Sequence, residues 1–285
     1  MIDRRTFLAA AVLAPLVVAC APTAPGSTLE RARRDGALRI GVSGERPFGY
    51  TDAGGRITGA QPEVARVVLR RIGIPGMDAV QLRFDRLIPA LLAGQCDLIA
   101  AGMAITPERC AQVAFSRPDF VTPPAFLVPR GNPKRLRTFD DAARTGIRLA
   151  ALVGSVEVDQ ARAAGVPDDR LVLADDQRTL LRAVADGRAD AGAMAAISLT
   201  DELRRTPGTG LEVTPPITAQ TRGRTVVTAG GFAVRREDTD LLAEFDHELT
   251  ALHSGAEWLR IVSQFGFGPA NVPPTSLTTA APCSA

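Results

Sequence analysis

The sequence predicts an α/β protein of two doubly wound lobes joined by a hinge that the chain crosses twice. Three observations predict it. Short apolar runs alternate with segments whose apolar residues recur at helical spacing, the pattern of strands separated by crossover helices. That alternation breaks at Pro118–Pro124 and then resumes. A glycine pair, Gly230-Gly231, sits between two further apolar runs, where the chain would cross back.

Taken in order, Ala37–Val42 reads as a buried strand, and Ser43–Tyr50 is the loop at its carboxyl end, where ligands sit in open α/β sheets. Pro62-Glu63 opens a helix carrying Val64, Val67, Val68 and Ile72 on one side. Val80–Phe84 reads as the second strand, and Asp85 as the N-cap of a helix with Leu87, Ile88, Leu91 and Leu92 that Gly94 closes. Asp97–Gly102 is the third strand, leading into a turn and short helix that presents Arg109.

Beyond the break, Ala125–Val128, Ile147–Leu152, Leu171–Leu173 and Asp190–Met194 read as strands. Asp140 caps one intervening helix, Gly154-Ser155-Val156-Glu157 opens another, and Thr179–Asp186 is a third that Gly187 stops. The free N–H groups at the Gly154–Glu157 helix start suit an anion. Thr225–Thr228 and Phe232–Val234 flank the glycine pair. Asp240 begins a long helix with Leu241, Leu242, Phe245, Leu249 and Leu252, and Trp258 and Ile261 anchor a last one. The expected organisation is lobe 1 at 36–121, lobe 2 at 122–228 and a return to lobe 1 at 229–267. The Pro-, Thr- and Ala-rich tail 268–285 is expected to be disordered.

Composition bounds the function. The 285 residues are 46% hydrophobic and 22% charged, with a formal net charge of +2, so no basic stripe argues for nucleic acid. The start, MIDRRTFLAAAVLAPLVVAC, joins a charged head to an apolar run too short to span a bilayer. Arg4-Arg5 resembles a twin-arginine export signal, and Val17–Cys20 resembles a lipobox. Residues 1–19 are therefore expected to be a cleaved signal, with Cys20 taking a lipid and 20–35 acting as a tether. Cys96 and Cys110 read as small core residues, and no cysteine spacing suggests a metal.

The run Gly102-Met103-Ala104-Ile105-Thr106-Pro107-Glu108-Arg109 resembles the solute-binding proteins of ABC importers, in the branch that captures polar amino acids. That resemblance runs from about Leu38 to Phe267 and implies the type II periplasmic-binding-protein fold, a permease partner, a monomer and no cofactor or metal. It also implies that Arg109 grips a solute carboxylate, for which a planar, permanently charged guanidinium is suited.

Glu45, Phe48, Gln61–Ala65, Ala100–Ser116, Gly131–Lys134, Gly165–Asp169 and Gln264–Phe267 resemble the ectoine and hydroxyectoine binders more closely. By that resemblance Phe48 and Phe84 would flank the solute ring, Glu45 would neutralise its cation, and Glu157 would bond a ring N–H. Gly102 and Ala104 would line one wall, and Gly154 to Val156 would close over the solute. The α-amino-acid binders are similar in carrying an Asp where this chain has Ala195, so a free α-ammonium would lack its partner. The ectoine binders are similar in having an aromatic where this chain has Ala104.

An enzyme is the competing class, because some members of this fold resemble cyclohexadienyl dehydratases. Dehydration needs a positioned acid. The only histidines, His247 and His253, lie on the C-terminal helix, and no nucleophile or phosphate-loop motif occurs. A binder rather than an enzyme is expected.

Overall fold

A computed structural model describes residues 26–218, 220–221, 224–225 and 228–284. The signal segment and Cys20 lie outside the described residues, as does part of Thr225–Thr228.

The chain builds two five-stranded sheets. In the first, the strands run in the order Gly76–Gln81, Ala37–Val42, Leu98–Ile99, Ala233–Val234, Ala114–Phe115. The first three are parallel, and Ala233–Val234, arriving from the far end of the chain, runs antiparallel to both its neighbours. The second sheet has the order Leu171–Ala174, Leu149–Leu152, Ala191–Ala195, Pro124–Pro129, Leu211–Val213, again with three parallel strands. Pro124–Pro129 enters it antiparallel to both its neighbours. Helices cover both sheets, and the inner strands are mostly buried, as in Leu149–Leu152.

Between the sheets the chain crosses twice, and the two crossings pair as antiparallel strands, Phe120–Val121 with Ala229–Gly230. Gly230 is required here because a Cβ would lie 2.2 Å from the Phe120 ring. The first lobe's core gathers Leu38, Ile40, Val64, Val68, Phe232, Phe245 and Trp258 from both ends of the chain.

Several expectations are corrected. The second strand is Gly76–Gln81 rather than Val80–Phe84, and Phe84–Arg86 forms a 3-10 turn, so Asp85 caps nothing. Thr138, not Asp140, caps the helix Phe139–Thr145, in a capping box with Asp141. Residues 28–35 are not tether: Thr28–Asp35 is a helix whose Ser27 cap and Glu30 satisfy each other's backbone N–H groups.

The tail is ordered rather than disordered. Pro269–Asn271 and Ala280–Cys283 form short helical turns. Asn271 Nδ2 donates to Val121 C=O at 3.0 Å, and Thr279 Oγ1 donates to Ser116 C=O at 2.9 Å. Cys283 is disulfide-bonded to Cys110, which is therefore not a free core thiol, whereas Cys96 is free and buried. Among the described residues no helix is long and apolar enough to cross a membrane.

Candidate functional site

Arg109 sits on a helix of one turn, Pro107–Cys110, too short to form unaided. Thr106 starts it by accepting from the Arg109 N–H, and Pro107 occupies a position where its missing N–H costs nothing. The Arg109 side chain is 8% exposed. Nη1 donates to Ala104 C=O at 2.8 Å, and Nη2 donates across the cleft to Gly154 C=O at 2.9 Å. Its Cζ lies 5.3 Å from the Phe84 ring centroid, within cation–π range. Burial lowers its pKa, while the charges of Glu157, Asp159 and Glu108 raise it.

Around this arginine lies a cleft holding about 490 Å³ of space, part of it open to solvent. Nine of the ten residues singled out from sequence line it: Glu45, Phe48, Phe84, Gly102, Ala104, Arg109, Val156, Glu157 and Ala195. Gly154 is the tenth. It faces Asp85 from the other lobe, and its carbonyl is taken by Arg109.

The two carboxyls come from opposite lobes. Glu45 lies in the loop after the first strand, and its Oε1 accepts from Ser198 Oγ at 2.6 Å. Burial pushes the Glu45 carboxyl up to about 8; the Ser198 hydrogen bond opposes that and the Glu157 charge adds to it. Glu157, 7% exposed, is also raised by burial, against the pull of its helix N–H, of Ser155 and of Arg109. Ser155 Oγ lies close enough to draw the Glu157 carboxyl down, yet it is buried without a well-aligned hydrogen bond.

Phe48 does less than its place in the sequence suggested. It is 1% exposed and packs against Phe120 and Phe267 at centroid distances of 4.9 and 5.6 Å. Gly102 lies against its ring so closely that a Cβ would sit 2.5 Å away. Gly102 in turn donates its N–H to the buried Gln61 Oε1 at 2.6 Å, which gives the Gln61 motif a structural task. Phe84 is thus the more open aromatic of the pair, and it shares its face with Arg109.

The sequence did not mark Ser198, which holds Glu45, or the crossing residues Phe120, Thr122 and Thr228, which form part of the wall. Their signal was topological: a linker between two lobes must pass behind the cleft they enclose. Ser198 begins no recognisable motif; it sits in the helix Ala196–Arg205 that follows the strand carrying Ala195.

Two α/β lobes, a double crossing and a polar cleft lined from both sides define a two-lobed solute-binding protein. The chain belongs to the bacterial extracellular solute-binding proteins, family 3, whose model matches residues 38–269. It is 32% identical over 247 residues to the "Probable amino-acid ABC transporter periplasmic-binding protein y4tE" of Sinorhizobium fredii, covering 86% of this chain and 82% of that one. It is 28% identical over 240 residues to the L-arginine-binding protein of Pseudomonas aeruginosa, covering 81% and 88%. The crystal structure of EhuB in complex with hydroxyectoine superposes with a TM-score of 0.83 at 32% identity, covering 91% of this chain and all of that one.

Proposed function

We propose that this chain is the exported receptor of an ABC importer of the amino-acid type, and that it captures a compact zwitterion, ectoine or hydroxyectoine. One observation carries the reading: a single cleft holds Arg109 from one lobe and carboxyls from both, Glu45 and Glu157. That inventory suits a solute with a carboxylate at one end and a delocalised cation at the other. Arg109 takes the carboxylate, Glu45 and Glu157 face the cation, and Phe84 covers the ring. Ala195 offers nothing to a free α-ammonium, which disfavours ordinary α-amino acids. The similarity to the hydroxyectoine-binding structure supports the same choice. Binding rather than turnover fits the names of the relatives, which are binding proteins.

Export follows from the family and from the signal-like start, and anchoring through a lipid on Cys20 is part of this proposal. So are a monomeric state, a cognate permease as partner and the lobe limits 36–121, 122–228 and 229–267.

Thermal unfolding of the mature protein with ectoine, hydroxyectoine, proline betaine, arginine and glutamine tests it. At one hundred times its dissociation constant a solute stabilises by about 2.7 kcal/mol. Ectoine or hydroxyectoine is expected to give that shift, and Arg109→Ala to abolish it. A shift with arginine or glutamine instead would move the assignment to another member of the amino-acid branch.

A further inference from the structure

A second set of contacts joins the lobes outside the solute wall. Gln177 is the first residue of the helix Gln177–Ala185 in the second lobe and is 6% exposed. Its side-chain amide reaches the loop after the first strand of the first lobe. Oε1 accepts from the Arg46 N–H at 3.2 Å, and Nε2 donates to the Arg46 C=O at 3.2 Å. The same Nε2 donates to Ser198 C=O at 2.6 Å, which fixes the amide within its own lobe. One side chain thus pairs both backbone groups of a residue on the facing lobe, as a neighbouring strand would.

Its surroundings make this more than a surface contact. Beside it, Ser198 Oγ of the second lobe donates to Oε1 of Glu45, the residue before Arg46, at 2.6 Å. Two more links span the lobes, Arg83 to Asp175 at 3.0 Å and Arg109 to Gly154. The first joins exposed side chains and contributes little. Neither Gln177 nor Arg46 lines the cleft, so the amide clasp makes no contact with the solute space. Arg46 presents only its backbone, since its guanidinium stacks on Tyr50 of its own lobe, 3.6 Å from the ring centroid.

We propose that Gln177 is a latch: its amide holds the lobes together before a solute arrives and sets how long any solute is retained, without choosing which. Stabilising the closed arrangement by a fixed amount raises its population in the free protein and slows the opening that releases a bound solute. Hydrogen bonds of ordinary strength at two points slow release by about tenfold, the factor that corresponds to about 1.4 kcal/mol. The proposal rests on the reading of the chain as a receptor whose lobes close over its solute, and its first test needs no solute.

That test is small-angle X-ray scattering of the solute-free protein in four forms: wild type, Gln177→Met, Gln177→Ala and Arg46→Ala. Methionine keeps the side-chain volume and removes every bond of the amide, so it carries the test if the alanine variant fails to fold. Both Gln177 variants are expected to show a larger radius of gyration than wild type. Arg46→Ala is expected to match wild type, because the latch grips its backbone. In stopped-flow release, Gln177→Met is expected to lose every bound solute about tenfold faster, by the same factor for each. A wild type as expanded as Gln177→Met without solute overturns the latch, whichever solute the protein binds. Faster release of one solute only also overturns it, since that would make Gln177 a selecting residue.

Discussion

Glu45 should ionise near its ordinary value of 4.5, and burial between two lobes moves it up to about 8. Between those values the folded protein holds a proton that the unfolded chain has released. Stability from this group is therefore present at low pH and is lost as pH rises through about 8. Glu45→Gln cannot ionise, so its melting temperature is expected to fall less than that of wild type over this window. A solute cation acts in the opposite direction, because it favours the ionised carboxylate. Capture then expels a proton, and affinity for a cation-bearing solute is expected to rise with pH until it levels off near about 8. Calorimetry in buffers of different ionisation enthalpy reads the proton directly. An affinity that is flat with pH, with no proton released, would mean that Glu45 stays neutral and only donates a hydrogen bond. None of this was legible in the sequence. Glu45 could be marked as a candidate from its loop, but the serine that holds it, Ser198, is 153 residues away.

Elements of a few residues hold this site, and they owe their shape to partners. The one-turn Arg109 helix is joined through Cys110 to Cys283 in the C-terminal segment, 173 residues later. The same segment hydrogen-bonds Val121 at the crossing and Ser116 beside the return strand. It thus straps the arginine helix to the hinge. Cys283→Ser is expected to lower the unfolding free energy by about 2–4 kcal/mol. Reductant should destabilise wild type to a similar extent and leave the variant unmoved. A wild type indifferent to reductant would exclude the strap.

Long elements with clear periodicity, such as the helices at 60–71 and 239–254, were legible from their apolar faces. The capped N-terminal helix and the tail were not, because their composition is that of a linker and their order comes from distant contacts. The second strand was misplaced for a related reason. Gly76–Gln81 lies at the edge of its sheet with half its residues exposed, and an edge strand lacks the continuous apolar run that marks a central one.

At the scale of the molecule, the first lobe must be assembled from both ends of the chain, and one buried carboxylate brings them together. Asp97, 1% exposed, pairs with Arg31 of the N-terminal helix at 2.8 Å, Arg39 of the first strand at 2.7 Å and Arg235 of the returning segment at 2.8 Å. The alternation of strands predicted the two lobes, but it gave Asp97 no role beyond starting a strand. A node of this kind joins residues of separate elements and leaves no periodic trace. Burial pushes the Asp97 carboxyl up, and hydrogen bonds from Arg39, Arg235 and Arg31 more than reverse it, to about 2. Its contribution is therefore present above its ordinary value of 3.8 and is lost as pH falls through about 2. Asp97→Asn keeps the shape and removes the charge, leaving the buried Arg235 with Asp238 at 2.9 Å and the exposed Glu237 at 3.9 Å. Breaking a buried pair in this way costs about 3–5 kcal/mol. Denaturant unfolding is expected to show that loss, while solute affinity of the folded variant stays at the wild-type value because Asp97 touches no part of the cleft. An Asp97→Asn protein as stable as wild type would show that apolar packing alone closes the discontinuous lobe. In that case the three arginines would add nothing that the packing does not already supply.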